Sequence, residues 1–301
     1  MATVTVTAAS TTTGTLTKIS QSMLGVSEPS PRNFGNPANP TNNPTWTNTN
    51  WLKSRFHFSF AEYYNPKNTN FGVLRVMNDD LVQPQRGFAK HAHRDAEICT
   101  YIIHGKLTHA DSMGTEETLS NGAIQFMTAG SGVRHSEHNH SPEPLRFIQM
   151  WLTPRQRGLT PNYGSSDGVS SSEQRKNQWH HMVSDVQNQE AITNVKINTD
   201  ANMYATELDA GRGLTLDIAA GRQAYVLCVD GKTSVLLNGT NAEETCVVED
   251  EDNNGVELEM HDAAEVVGPA KIRFEGSASV GVHLLVVEMK HDVTSDGRSD
   301  V

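Results

Sequence analysis

The chain has 301 residues, enough for two domains with separate buried cores. Its formal charge is −11 and unevenly spread: residues 1–186 carry 16 basic against 14 acidic side chains, and residues 187–301 carry 8 against 21. With an acidic second half and no cluster of Lys and Arg in the first, direct nucleic-acid binding is not expected. Residues 1–50, rich in Thr, Ser, Asn and Pro, read as a weakly ordered extension; within it residues 3–7 alternate Val and Thr as a strand does and can add to a sheet. From residue 51 short apolar or alternating runs at 56–60, 71–77, 97–104, 123–128 and 145–152 predict strands, punctuated by turn signals such as Asn121-Gly122. Residues 154–190 form the connection, with a Ser/Gly-rich piece at 164–172 and a polar piece at 173–186 that predicts a short helix. Strand texture resumes at 214–218, 224–229, 233–237, 257–260, 271–274 and 282–289, and Asp230-Gly231 predicts a hairpin. The insertion 243–254, with six acidic residues, predicts a solvated loop.

Many short strands and almost no long helical periodicity predict an all-β protein of the sandwich or barrel type. The expected layout is an extension at 1–50, a first barrel at 51–185, a second at 186–293 and a tail at 294–301, with the second half repeating the first without its histidines. No apolar run approaches the roughly 18 residues that cross a bilayer, and the first residues lack the pattern of a secretory signal, so a soluble protein without membrane contact is expected. Cys99, Cys228 and Cys246 are odd in number and form no C-x-x-C pair, which fits a reducing compartment and, for Cys99, a small buried apolar role. The expected location is the cytoplasm, with the nucleus as an alternative and a plastid as another if the acid-poor first residues are a transit peptide.

Ten of the 13 histidines precede residue 182. His91 and His93 are two apart, so on a strand they share a face, and some forty residues later His135 and Glu137 share one too. A lone H-x-H is more often surface decoration than a ligand pair. Two such pairs at domain-scale spacing point instead to three imidazoles and a carboxylate around a divalent transition metal with positions left open. Glu97, in phase with His91 and His93, is a rival for the acidic position. His104, His109, His138 and His140 are expected at the surface or in turns.

The blocks His91-Ala-His93-Arg-Asp-Ala-Glu97, Thr100-Tyr101, His104-Gly105, His109-Ala-Asp111-Ser-Met-Gly114 and Met127 through Glu137 closely resemble the signature of the pirin family. Phe58 through Tyr64 and Leu74 through Asp80 resemble its opening block; the match is dense over about residues 50–165 and looser to about 290. The resemblance implies two cupin barrels of the double-stranded β-helix (jelly-roll) type, with a short helix in the connection or tail. It also implies one metal in the first barrel, held by His91, His93, His135 and Glu137, and none in the second. The blocks look nearest to bacterial pirins with quercetin 2,3-dioxygenase activity. That implies an Fe(II)-dependent dioxygenase opening a flavonol ring with O2 and releasing carbon monoxide, with Glu137 or Glu97 handling the proton. Manganese, nickel, copper or zinc also suit the donor set, and the sequence does not choose among them. The alternative implied by some eukaryotic pirins is a non-enzymatic, iron-dependent redox sensor that co-regulates transcription through a protein partner. A monomer is expected.

Overall fold

The computed structural model describes residues 3–7, 13–42, 47, 49–168, 172–238 and 255–291; the acidic insertion 243–254, Cys246 and the tail from 294 lie outside them. Among the described residues the architecture is almost wholly β, with one α-helical turn, Ser172–Arg175, and two 3-10 turns, Gln21–Met23 and Pro31–Phe34. The helix expected over 173–186 is therefore confined to its first residues. Asn177 takes a left-handed backbone (φ 55°) that ends it. From His180 to Asp185 the chain is a strand paired with Ala201–Leu208, sheet pairing having outweighed the polar composition.

The chain divides into two compact units, one comprising Leu24–Ser172 with Ser184–Thr199, the other Glu173–Val183 and the residues from Asp200 onward together with the first 23. The stretch read as an extension is thus shared between both. Strands Thr3–Thr7 and Thr13–Ile19 form an antiparallel hairpin that adds to Ala263–Val267, and Leu16 is fully buried in the core of that unit.

In the C-terminal unit the long strand Arg222–Asn238 serves two sets of partners. Its first part pairs with Ala263–Val267 and Val282–Lys290, its second with Gly255–Glu259 and Ala270–Gly276. Asp230-Gly231, expected as a hairpin, lies inside this strand. The register shifts between Cys228 and Asp230, Gly231 adopts φ 79°, and the strand bends from one set of partners to the other instead of reversing. A Cβ on Gly231 would lie 2.0 Å from the Gly281 carbonyl oxygen. Gly105 (φ 86°) does the same for the successive strands Glu97–His104 and Lys106–Asp111 of the N-terminal unit. The C-terminal interior is filled by an apolar cluster that includes Val226, Leu258, Phe274 and Val286.

The N-terminal unit packs a seven-stranded sheet, in the order Asn162–Ser166, Ile124–Thr128, Glu97–His104, Leu145–Leu152, Leu74–Val82, Leu52–Phe56 and Gly25–Ser27, on a four-stranded sheet of Arg86–His93, Val133–Asn139, Lys106–Asp111 and Glu116–Ser120. Trp51, Ile102, Leu107 and Phe147 are fully or almost fully buried in its apolar core. Strand alternation then sorts the remaining side chains. Asn78, Asp80, Gln149 and Thr100 fall on the inner face with Phe147. Asp79 and Arg146 fall on the other face, where the guanidinium pairs with the carboxylate at 2.7 and 2.9 Å. Cys99 is fully buried, and burial raises its thiol pKa, so the sulfur is an unreactive apolar filler.

Candidate metal centre

Strands Arg86–His93 and Val133–Asn139 run antiparallel with His91 directly opposite His135, and His93 lies two residues along the same face. The three imidazoles therefore converge. Their ring centres are 4.6 to 4.8 Å apart, and one ligand atom from each lies within 4.8 Å of the others. The His91 Nδ1 is 2.8 Å from the Ala89 carbonyl, which leaves its Nε2 for the site. Burial, then the neighbouring His135 and His91, lower the His93 pKa to about 4; burial, His91 and His109 lower that of His135 to about 3. Both rings are neutral at pH 7, the form that ligates metals.

His109, expected at the surface, is buried instead and belongs to the site. It alternates in phase with the core residue Leu107 along its strand, a signal present in the sequence. His109, His135 and Glu137 form a second group with ligand atoms within 4.8 Å, sharing His135 with the first. The His109 ring stacks on Tyr163 at 4.5 Å, places Nε2 3.1 Å from Asp111 Oδ2 and Nδ1 3.4 Å from His135 Nδ1. Burial opposes the charge on Asp111, but hydrogen bonds from His109, Thr115 and Met113 outweigh it and hold its pKa below the usual carboxylate value. An ionised Asp111 keeps a proton on His109 Nε2. Its Nδ1 then accepts from His135 Nδ1–H, and His135 presents a lone pair at Nε2. That Nε2 is buried and has no hydrogen-bond partner among the described residues.

Glu137 is 2 % exposed and is held across the two sheets. Its Oε1 accepts from Gln125 Nε2 at 2.8 Å and Thr100 Oγ1 at 3.3 Å, and its Oε2 from Gln149 Nε2 at 2.8 Å. These donors form one cross-strand row: Gln125 opposite Thr100, Thr100 opposite Gln149. Each glutamine is itself oriented, because Tyr163 Oη lies 3.1 Å from Gln125 Oε1 and Trp151 Nε1 donates to Gln149 Oε1 at 3.2 Å. Of these residues only Thr100 stands in a block that the sequence singles out; Gln125, Gln149, Trp151 and Tyr163 carry no motif visible along the chain.

Glu97 does not compete with Glu137. Strand alternation places it on the face opposite Thr100, where it accepts from Thr128 Oγ1 at 3.0 Å and the Asn198 backbone amide at 3.1 Å. It belongs to neither group of converging ligand atoms, and burial raises its pKa against those hydrogen bonds. The expectation of a ligand or proton-handling role for Glu97 is corrected accordingly. His104 and His140 are exposed, as expected.

Beside His91 and His93 opens a cavity of about 380 Å³ with aromatic walls from Phe34, Phe60, Phe88 and Trp151. Its polar wall comes from the same sheet row and the next: Asn78, Ser54 and Asp80, the last accepting a short hydrogen bond from the Ser54 hydroxyl. Burial, offset in part by that hydroxyl and reinforced by Asp79 and Glu137, raises the Asp80 pKa to about 7. Three converging imidazoles, a fixed carboxylate and a buried nitrogen unpartnered among the described residues fit a divalent metal ion.

The family model Pirin matches residues 40–152, and the model described as the quercetinase C-terminal cupin domain matches residues 182–289. A pirin-like protein of Caulobacter vibrioides is 37 % identical over 201 residues, 67 % of this chain and 85 % of its own length. The quercetin 2,3-dioxygenase of Escherichia coli K12 is 36 % identical over 203 residues, 65 % of this chain and 80 % of its own length. Among solved structures, the Escherichia coli bacterial pirin YhhW in complex with nickel(II) superposes with a TM-score of 0.69 at 27 % identity, covering 92 % of this chain and 100 % of that one. Both halves of the chain are therefore cupin domains.

Proposed function

Since the chain belongs to the pirin family, we propose that it is a metal-dependent dioxygenase of the quercetin 2,3-dioxygenase type, opening a flavonol ring with O2. The proposed ligands are His91, His93, His135 and Glu137, and the proposed metal is iron(II). The observation that carries the reading is the adjacency of the imidazole triad to a cavity of about 380 Å³ walled by aromatic rings, large enough for a flat polyphenol. A divalent metal held there supplies a Lewis acid and open positions for substrate oxygens. The chain's own residues do the rest. Phe34, Phe60, Phe88 and Trp151 bind a planar ligand by its faces and keep water from it. The donors Gln125, Gln149 and Thr100 hydrogen-bond both Glu137 carboxylate oxygens and hold them in place, which suits a fixed ligand.

The test is O2 consumption and carbon monoxide release by protein loaded with iron(II) under nitrogen and then given O2 and a panel of flavonols, with metal content measured in parallel. Uptake that requires metal is expected, and its loss in His135→Ala. Protein with a full metal complement that consumes no O2 with any flavonol would reject the reading.

A further inference from the structure

One acceptor on the cavity wall is left without a role by the metal site. Along the inner face of the seven-stranded sheet the cross-strand row continues from Gln125, Thr100 and Gln149 to Asn78 and then Phe56. The first three spend their donors on Glu137. Asn78 does not reach it. It is 3 % exposed, it lines the cavity, and its Oδ1 is buried with no hydrogen-bond partner among the described residues. Of the polar side chains on that wall, Ser54 is engaged with Asp80 and Ser27 with Glu62. A buried carbonyl oxygen in an aromatic cavity is satisfied only by a donor that enters with the ligand, or by a water that the ligand must not strand.

We propose that Asn78 is the specificity-determining residue of this site, its Oδ1 accepting a hydrogen bond from a ring hydroxyl of a planar aromatic ligand. The inference rests on the proposed function for the class of ligand, flavonols bearing a free phenolic hydroxyl beyond the metal-chelating edge. A ligand without that hydroxyl expels the water and leaves the carbonyl unpaired, so the site discriminates by penalty as well as by attraction. The aromatic walls cannot do this. They bind hydroxylated and plain rings alike.

The experiment uses metal-loaded full-length protein under nitrogen, where no turnover occurs, and follows quenching of tryptophan fluorescence by flavonol pairs that differ in a single ring hydroxyl. Wild type is expected to prefer one hydroxylated member by roughly tenfold to hundredfold, the range for a stranded buried acceptor. Asn78→Leu is expected to bring the pair within about threefold of each other at unchanged metal content. Asn78→Asp, which keeps an acceptor in place, is expected to retain the preference and serves if the leucine variant does not fold. Wild type without any preference in the panel overturns the inference, as does a preference that survives in Asn78→Leu. Discrimination without O2 consumption in air would keep the inference and sink the dioxygenase reading. Turnover of every flavonol without discrimination would do the reverse.

Discussion

Replacing Asp80 by Asn should stabilise the metal-free protein at alkaline pH and leave it nearly unchanged at acid pH. The folded chain holds the Asp80 proton to about pH 7, against an ordinary value of 3.8, mainly because the carboxyl is buried. As pH rises past 3.8 the unfolded chain ionises this group while the folded one does not. Stability present below about pH 4 is therefore lost progressively up to about pH 7, and the loss is complete above it. Ionising the buried group costs up to about 4 kcal/mol at pH 8, at about 1.4 kcal/mol per pH decade. An amide of the same shape avoids the cost and can still accept from Ser54. The difference between variant and wild type should thus grow from near zero at pH 4 to about 2–4 kcal/mol at pH 8. Urea unfolding followed by tryptophan fluorescence, with Trp51 and Trp151 reporting on the N-terminal unit, measures it after chelator treatment. A difference that does not change with pH, or an asparagine variant less stable at pH 8, would refute the reasoning.

His135→Ala should reduce the metal bound after dialysis to under about a tenth of wild type by elemental analysis, because it removes the nitrogen common to both converging groups. In Asp111→Asn the proton on His109 is no longer held on Nε2, so metal affinity measured by chelator competition should fall by about 10- to 100-fold with the fold intact. Equal affinity would show that His109 does not set the His135 tautomer. Gly231→Ala should destabilise the C-terminal unit by at least about 2 kcal/mol in thermal melts, since the residue needs φ 79° and its Cβ would overlap the Gly281 carbonyl. The same substitution at Gly211, also left-handed but with open space around it, should cost less.

The alternation of side chains along a strand is a local property, so sequence alone determined that His91 and His93 share a face, that His135 and Glu137 share another, and that both halves of the chain are β-rich with the histidines concentrated in the first. Residue spacing says nothing of which strand lies opposite. The register that sets His91 against His135, the row that brings Gln125, Thr100 and Gln149 onto Glu137 from three strands, and the choice of the Thr100 face of its strand over the Glu97 face as the inner one all depend on pairings between residues tens of positions apart. The burial of His109 was legible in its phase with Leu107, but phase has meaning only once the inner face is known. Asp230-Gly231 shows the same limit. Its dipeptide specifies a left-handed backbone, and whether that reverses the chain or bends it between two sheets was decided by the partners waiting on either side. Thr13–Ile19 likewise pairs with Ala263–Val267, some 250 residues away, where its backbone hydrogen bonds are made and the side chain of Leu16 is buried, a partner that spacing along the chain does not announce.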